Sequence, residues 1–226
     1  MKKLLFWMVL IVGIVALIGS CAKKDEDTAA TAAADNTTST DNTTSTTSYI
    51  STTTTASGSI TMGDDTLSGV YASECLTSAS TIAFFKAAGI WASEVNAYGQ
   101  VFVVTGSDNI SIELYAFTDT SCSNLSQSQK TVSDNVTFGS ASGSNYPVTY
   151  NNQTQALTVH TTAAETALET LYSNALDFIV GTPIELPVSG SGLRYGLWTL
   201  SGTTWYEASS SSATPTSAGT VPHVKQ

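Results

Sequence analysis

Ile110, Ile112, Leu114 and Ala116 alternate with Ser111, Glu113, Tyr115 and Phe117. Directly before them lie a β-branched and aromatic run, Val101 to Val104, and the turn cluster Gly106-Ser107-Asp108-Asn109. A period of two sends successive side chains to opposite faces of a strand, so this stretch reads as a hairpin with one apolar face. Similar but shorter runs cover Val70 to Cys75, Thr131 to Phe138, Val148 to Tyr150, Ala156 to Thr161, Tyr195 to Leu200 and Thr203 to Ala208. Ser201-Gly202 between the last two is a second hairpin turn. Ile184 to Val188 is confined to a sheet edge by Pro183 and Pro187, which lack the N–H a central strand needs. A mainly β fold follows, an antiparallel barrel or sandwich of about eight strands.

One segment has a different period. Ala164, Leu168, Leu171, Tyr172, Ala175, Leu176 and Ile179 recur at steps of three and four, after a capping-box spacing of Thr162 and Glu165. A helix is predicted from about Ala163 to Phe178, packed on the sheet or closing the barrel. A shorter helix is expected over Ser80 to Ala88, with Ile82, Phe84 and Phe85 turned inward.

The N-terminus carries an address. Lys2 and Lys3 precede an apolar run from Leu4 to Ile18, and Ile18-Gly19-Ser20-Cys21 follows. The run is short for a membrane span, which needs about 20 apolar residues, and its parts are those of a secretory signal. Its end resembles the lipobox of bacterial lipoproteins. That resemblance implies cleavage after residue 20, lipid on Cys21 and anchoring in the cell envelope, and Ala22 in place of aspartate points to the outer membrane. In an exported chain the other two cysteines, Cys75 and Cys122, read as a disulfide, the alternative being two separate buried thiols.

Residues 21–66 form a Ser/Thr/Asn/Asp-rich linker, in which Asp35-Asn36-Thr37-Thr38-Ser39-Thr40 is repeated as Asp41-Asn42-Thr43-Thr44-Ser45-Thr46. Few large apolar residues interrupt it, so it is expected to stay disordered as a tether. Residues 67–226 are then the globular domain.

Within that domain, Gly69-Val70-Tyr71-Ala72-Ser73-Glu74-Cys75 and Tyr115-Ala116-Phe117-Thr118-Asp119-Thr120-Ser121-Cys122 resemble segments of small bacterial lipoproteins with a lipocalin-like (calycin) fold. The tail, Thr214-Pro215-Thr216-Ser217 leading to Val224-Lys225-Gln226, resembles theirs except that Thr214 replaces an arginine. The resemblance implies a barrel and carries no function.

The residues argue against most chemistries. Of two histidines, His160 ends a strand on a solvated face, and His223 falls in a C-terminal tail expected to be mobile. No Gly-x-Ser-x-Gly, Cys-x-x-Cys, His-x-x-x-His or EF-hand pattern occurs, so neither catalysis nor a metal or cofactor is expected. Isolated aspartates such as Asp119 read as turn formers. The formal charge is −10, and Lys86, Lys130, Arg194 and Lys225 are the only bases after residue 66, which disfavours nucleic acid as a partner. Membrane contact is expected through the lipid on Cys21.

The aromatic residues Trp91, Tyr98, Trp198, Trp205 and Tyr206 lie on or near proposed strands. They either fill the core or line a pocket. Two functions follow. In the first, a tethered barrel binds a small apolar ligand or an envelope protein, with Trp91, Trp198, Trp205 and Tyr206 as pocket wall. In the second, the domain serves surface display or adhesion and has no pocket. An internal cavity separates them.

Overall fold

A computed structural model describes residues 49–188 and 190–226. The expected signal segment, Cys21 and the expected linker as far as residue 48 lie outside these residues. The elements in chain order are β1 (Ile60–Met62), β2 (Asp65–Leu67), β3 (Val70–Ala72), α1 (Ala79–Ala87), β4 (Ala97–Val104), β5 (Ile110–Phe117), β6 (Leu125–Phe138), β7 (Asn145–Val159), α2 (Thr162–Leu171), β8 (Pro183–Leu186), β9 (Leu193–Ser201), β10 (Thr204–Ser210) and β11 (His223–Lys225).

Eight of these strands close a barrel. Their order is β6-β5-β4-β3-β11-β10-β9-β7, every pair is antiparallel, and β6–β7 pairing completes the ring. Closure removes the exposed sheet edge that would otherwise invite pairing with another chain. The architecture is lipocalin-like. The predicted hairpin is β4–β5, in register from Ala97↔Phe117 to Val104↔Ile110. The second hairpin turns at Ser201-Gly202 as expected, with Thr204 opposite Ser201. β8 is the predicted edge strand and lies on β7 beside β9.

Length is where the sequence reading falls short. β6 starts at Leu125, because Ser126 to Lys130 is polar on both faces and carries no alternation signal. The two short candidates at 148–150 and 156–161 join into the single strand β7. β11 and the β1–β2 hairpin are too short to show a period.

The linker boundary also moves. Ile60, Met62 and Leu67 of the β1–β2 hairpin are almost fully buried and plug one end of the barrel, packed with Phe102, Val104, Ile110, Val148, Trp198 and Trp205. Upstream, residues 49–57 run as a strap along the outer wall. The Ile50 N–H donates to the Ser73 carbonyl and the Ser57 N–H to that of Val104. Ile50 fits over Gly99, where a Cβ would stand 2.2 Å from the isoleucine side chain. Thr52 and Thr54 donate to the Glu113 carboxylate, as do Ser111 and Tyr115. The folded part therefore takes in residues 49–66 and does not begin near 67. A few apolar residues, Ile50, Ile60 and Met62, outweigh the polar composition around them.

The opposite end is capped by helices. Phe85 of α1 stacks on Trp91 with ring centroids 4.3 Å apart. Ala164 and Leu168 of α2 pack with Leu157, Val159 and Phe178. The N-cap of α2 is Thr161, whose hydroxyl accepts from the Ala164 N–H and donates to Glu94. α2 ends at Leu171 rather than Phe178, because Ser173 and Asn174 adopt left-handed φ of 55° and 54°. Ala175 and Ile179 are consequently exposed instead of continuing the stripe. Phe84 of α1, expected to face inward, is 45% exposed.

Cys75 and Cys122 form a disulfide with Cα atoms 5.7 Å apart. It ties the end of the β3 segment to the turn after β5. Asp119 organises that turn by accepting from the backbone of Ser121, Ser123 and Asn124. These bonds hold its carboxyl down at about 2.

Candidate functional site

Alternation along the barrel wall decides which side chains point inward. On β10 these are Trp205, Glu207 and Ser209, and on β9 Arg194, Gly196 and Trp198. β4 sends in Gln100 and Phe102, β6 sends in Gln129 and Thr131, and β7 sends in Tyr150 and Asn152. Between the hairpin plug and the helical cap these residues line a partly open cavity of about 60 Å³, with polar side chains beside the apolar Phe102, Ile112 and Leu114. It shares Phe102, Ile112 and Tyr150 with the plugged core. It shares Leu114 and Gln129 with a smaller space of about 20 Å³ beneath the helices. The charged layer is thus held between two apolar ones.

Two side chains in this layer carry opposite charge. Arg194 is 9% exposed, and its Nη1 donates to the Leu193 carbonyl, 2.9 Å away. Glu207 faces the same cavity from β10. The two do not pair: among the described residues the one ion pair is Lys130–Glu113 at 4.0 Å, on the outer wall. Tyr150 is coupled electrostatically to both. Burial pushes the Glu207 carboxyl up to about 7, with the Ser209 hydroxyl acting the other way. Burial lowers the Arg194 pKa, and it raises that of Tyr150, which the Glu207 charge raises further. A charge taken out of water without a partner is costly, so such a layer is uncommon in a core serving stability alone.

A second cleft, of about 390 Å³, lies on the outer wall between the strap and β5–β7. Thr52, Thr54, Tyr115, Lys130 and His160 line it, and His160 Nε2 is 3.0 Å from the Ser128 hydroxyl. His160 is half-buried there, and burial lowers its pKa.

The aromatic residues are not brought together as a pocket wall. Trp198 and Trp205 are fully buried in the plugged core, with centroids 4.7 Å apart. Trp91 lies under α1 and lines the smaller space. Tyr206 is on the opposite face of β10 from Trp205 and Glu207. Large aromatic side chains fill volume, and the polar residues between them leave the gap. His223 is the clearest reversal: it sits in β11 as part of the barrel wall, 1% exposed, with Nδ1 3.3 Å from the Trp205 carbonyl. Burial pushes its pKa down to about 4. Sequence reasoning missed Arg194, Glu207 and Tyr150. Their available signal was a charged residue at an inward position of each hairpin strand.

The fold and this layer define the class: a closed eight-stranded antiparallel barrel with a polar chamber at mid-height. No protein-family model matches the chain, and no curated protein matches it in sequence.

Proposed function

We propose that this chain is a lipid-anchored envelope protein whose barrel, of the calycin type, holds a small polar solute in its interior. The observation that carries the reading is Arg194, buried without a carboxylate partner and lining the same barrel cavity as Glu207 of the neighbouring strand. The lining makes the solute polar rather than apolar. The anchoring half rests on the lipobox-like Ile18-Gly19-Ser20-Cys21. Together they describe a tethered binding module with no catalytic step, carried by the outer membrane and independent of nucleic acid.

Each half has its own test. Cys21→Ser should leave an unprocessed or soluble product; normal membrane fractionation of that variant contradicts the anchor. For the chamber, a library of small solutes is screened by thermal shift of the full chain. Solutes that raise Tm with wild type are expected to lose their effect with Arg194→Met and keep it with His160→Ala, which alters only the outer cleft. Retention of the effect in Arg194→Met would place binding elsewhere.

A further inference from the structure

We propose that the chamber takes a small zwitterion, an amino acid of few heavy atoms, with its carboxylate on Arg194 and its ammonium on Glu207. The inference rests on the chamber being a solute site. Arg194 and Glu207 face one cavity from neighbouring strands, yet no carboxylate oxygen approaches the guanidinium within 4.0 Å. Tyr150 feels both charges and thus lies within electrostatic reach of each. Two opposite charges held apart are completed by a ligand that carries the same two charges in reverse order. An anion alone leaves the Glu207 carboxylate in the cavity unmatched. A cation alone does the same to Arg194, and a neutral polyol matches neither. The cavity of about 60 Å³ limits the ligand to the bulk of a few water molecules. Gln100, Gln129 and Asn152 supply amide groups for the remaining hydrogen bonds.

Protonation adds a signature. The ionisable groups facing Glu207 are Tyr150 from β7 and Arg194 from β9; the lining residues from β4, β5 and β6 do not titrate. An ammonium ligand needs Glu207 ionised, and its carboxyl sits at about 7 when the cavity holds no ligand charge. Below that value binding must first release a proton, so affinity falls as pH drops.

The experiment follows the side-chain amides of Gln100, Gln129 and Asn152 by NMR in the full chain. The probes are glycine, acetate and methylammonium, the zwitterion and its two halves, at pH 8 and pH 6. Glycine should bind at least about tenfold tighter than either half at pH 8 and weaken about tenfold at pH 6. Glu207→Gln should abolish both its advantage over acetate and the pH effect. Arg194→Lys, which keeps the charge, should preserve the advantage over methylammonium. Acetate or methylammonium binding as tightly as glycine overturns the zwitterion and leaves the chamber standing. If none of the three, nor urea or glycerol, moves these amides, the chamber reading itself falls.

Discussion

His223 is buried and Glu207 half-buried, and both have displaced pKa values, but they act on stability in opposite directions. His223 falls from 6.5 to about 4 on folding. The unfolded chain then binds the extra proton, so this contribution is complete above pH 6.5 and is lost as pH drops toward 4. Glu207 rises from 4.5 to about 7. Here the folded chain binds the extra proton, so stability is lost as pH rises from 4.5 through 7. Each contributes a slope of up to about 1.4 kcal/mol per pH unit, and between pH 4.5 and 6.5 they offset. Denaturant melts across pH should therefore show a shallower profile for wild type in that window than for a variant lacking either group. Glu207→Gln should expose a loss of stability toward acid, and His223→Gln a loss toward neutral pH. Parallel profiles for the two variants would contradict the placement of one of them. At this scale the sequence was least legible. A histidine three residues from a chain end looks solvated until β11 is known to close the barrel. The role of Arg194 depends on Glu207, which comes from another strand. Asp119 was readable, because an Asx turn is made by neighbours in sequence.

Elements were more legible, where their signal is local. The β4–β5 hairpin follows from alternation and one turn cluster, and α2 follows from its stripe. The early end of α2 depends on Ser173 and Asn174, whose left-handed backbone no periodicity announces. α2 remains bound to the barrel by Leu168, 1% exposed, and Leu171 joins the apolar groups under both helices. Leu168→Ala should destabilise the protein by about 2–5 kcal/mol through lost burial and a residual cavity. Glu169→Ala should change stability by less than about 0.5 kcal/mol. Equal small effects at both would make α2 an appendage. The strap is a separate element held by a shape fit. Gly99→Val must displace Ile50, because even a Cβ would overlap it. Limited proteolysis of this variant should cut between residues 49 and 59 much faster than in wild type, while the disulfide-linked barrel resists. Unchanged proteolysis would show that the strap is not seated by Ile50.

For the molecule as a whole, closure and the disulfide set the frame, and the chamber is the site of the proposed function. The cysteine pair was readable from its count and from the expectation of export. It spans 47 residues and contributes about 4 kcal/mol in the chain-entropy view, so Cys75→Ser/Cys122→Ser should lower the unfolding free energy by about 2–4 kcal/mol. The barrel was readable as a class from alternation and turns. That its middle layer is polar was not, because inward and outward faces are assigned only after all eight strands have found their register. The central claim is that Arg194 and Glu207 are retained for a solute and not for the fold. The most direct test replaces both with apolar side chains of similar length, Arg194→Met/Glu207→Leu, and measures the unfolding free energy of the full chain at pH 8, where Glu207 is ionised. Removing two separated charges from the barrel interior should leave stability unchanged or raise it by about 1–4 kcal/mol, while solute binding disappears. A loss of several kcal/mol would show that the charged layer holds the barrel together, and the account of the chamber as a ligand site would be contradicted.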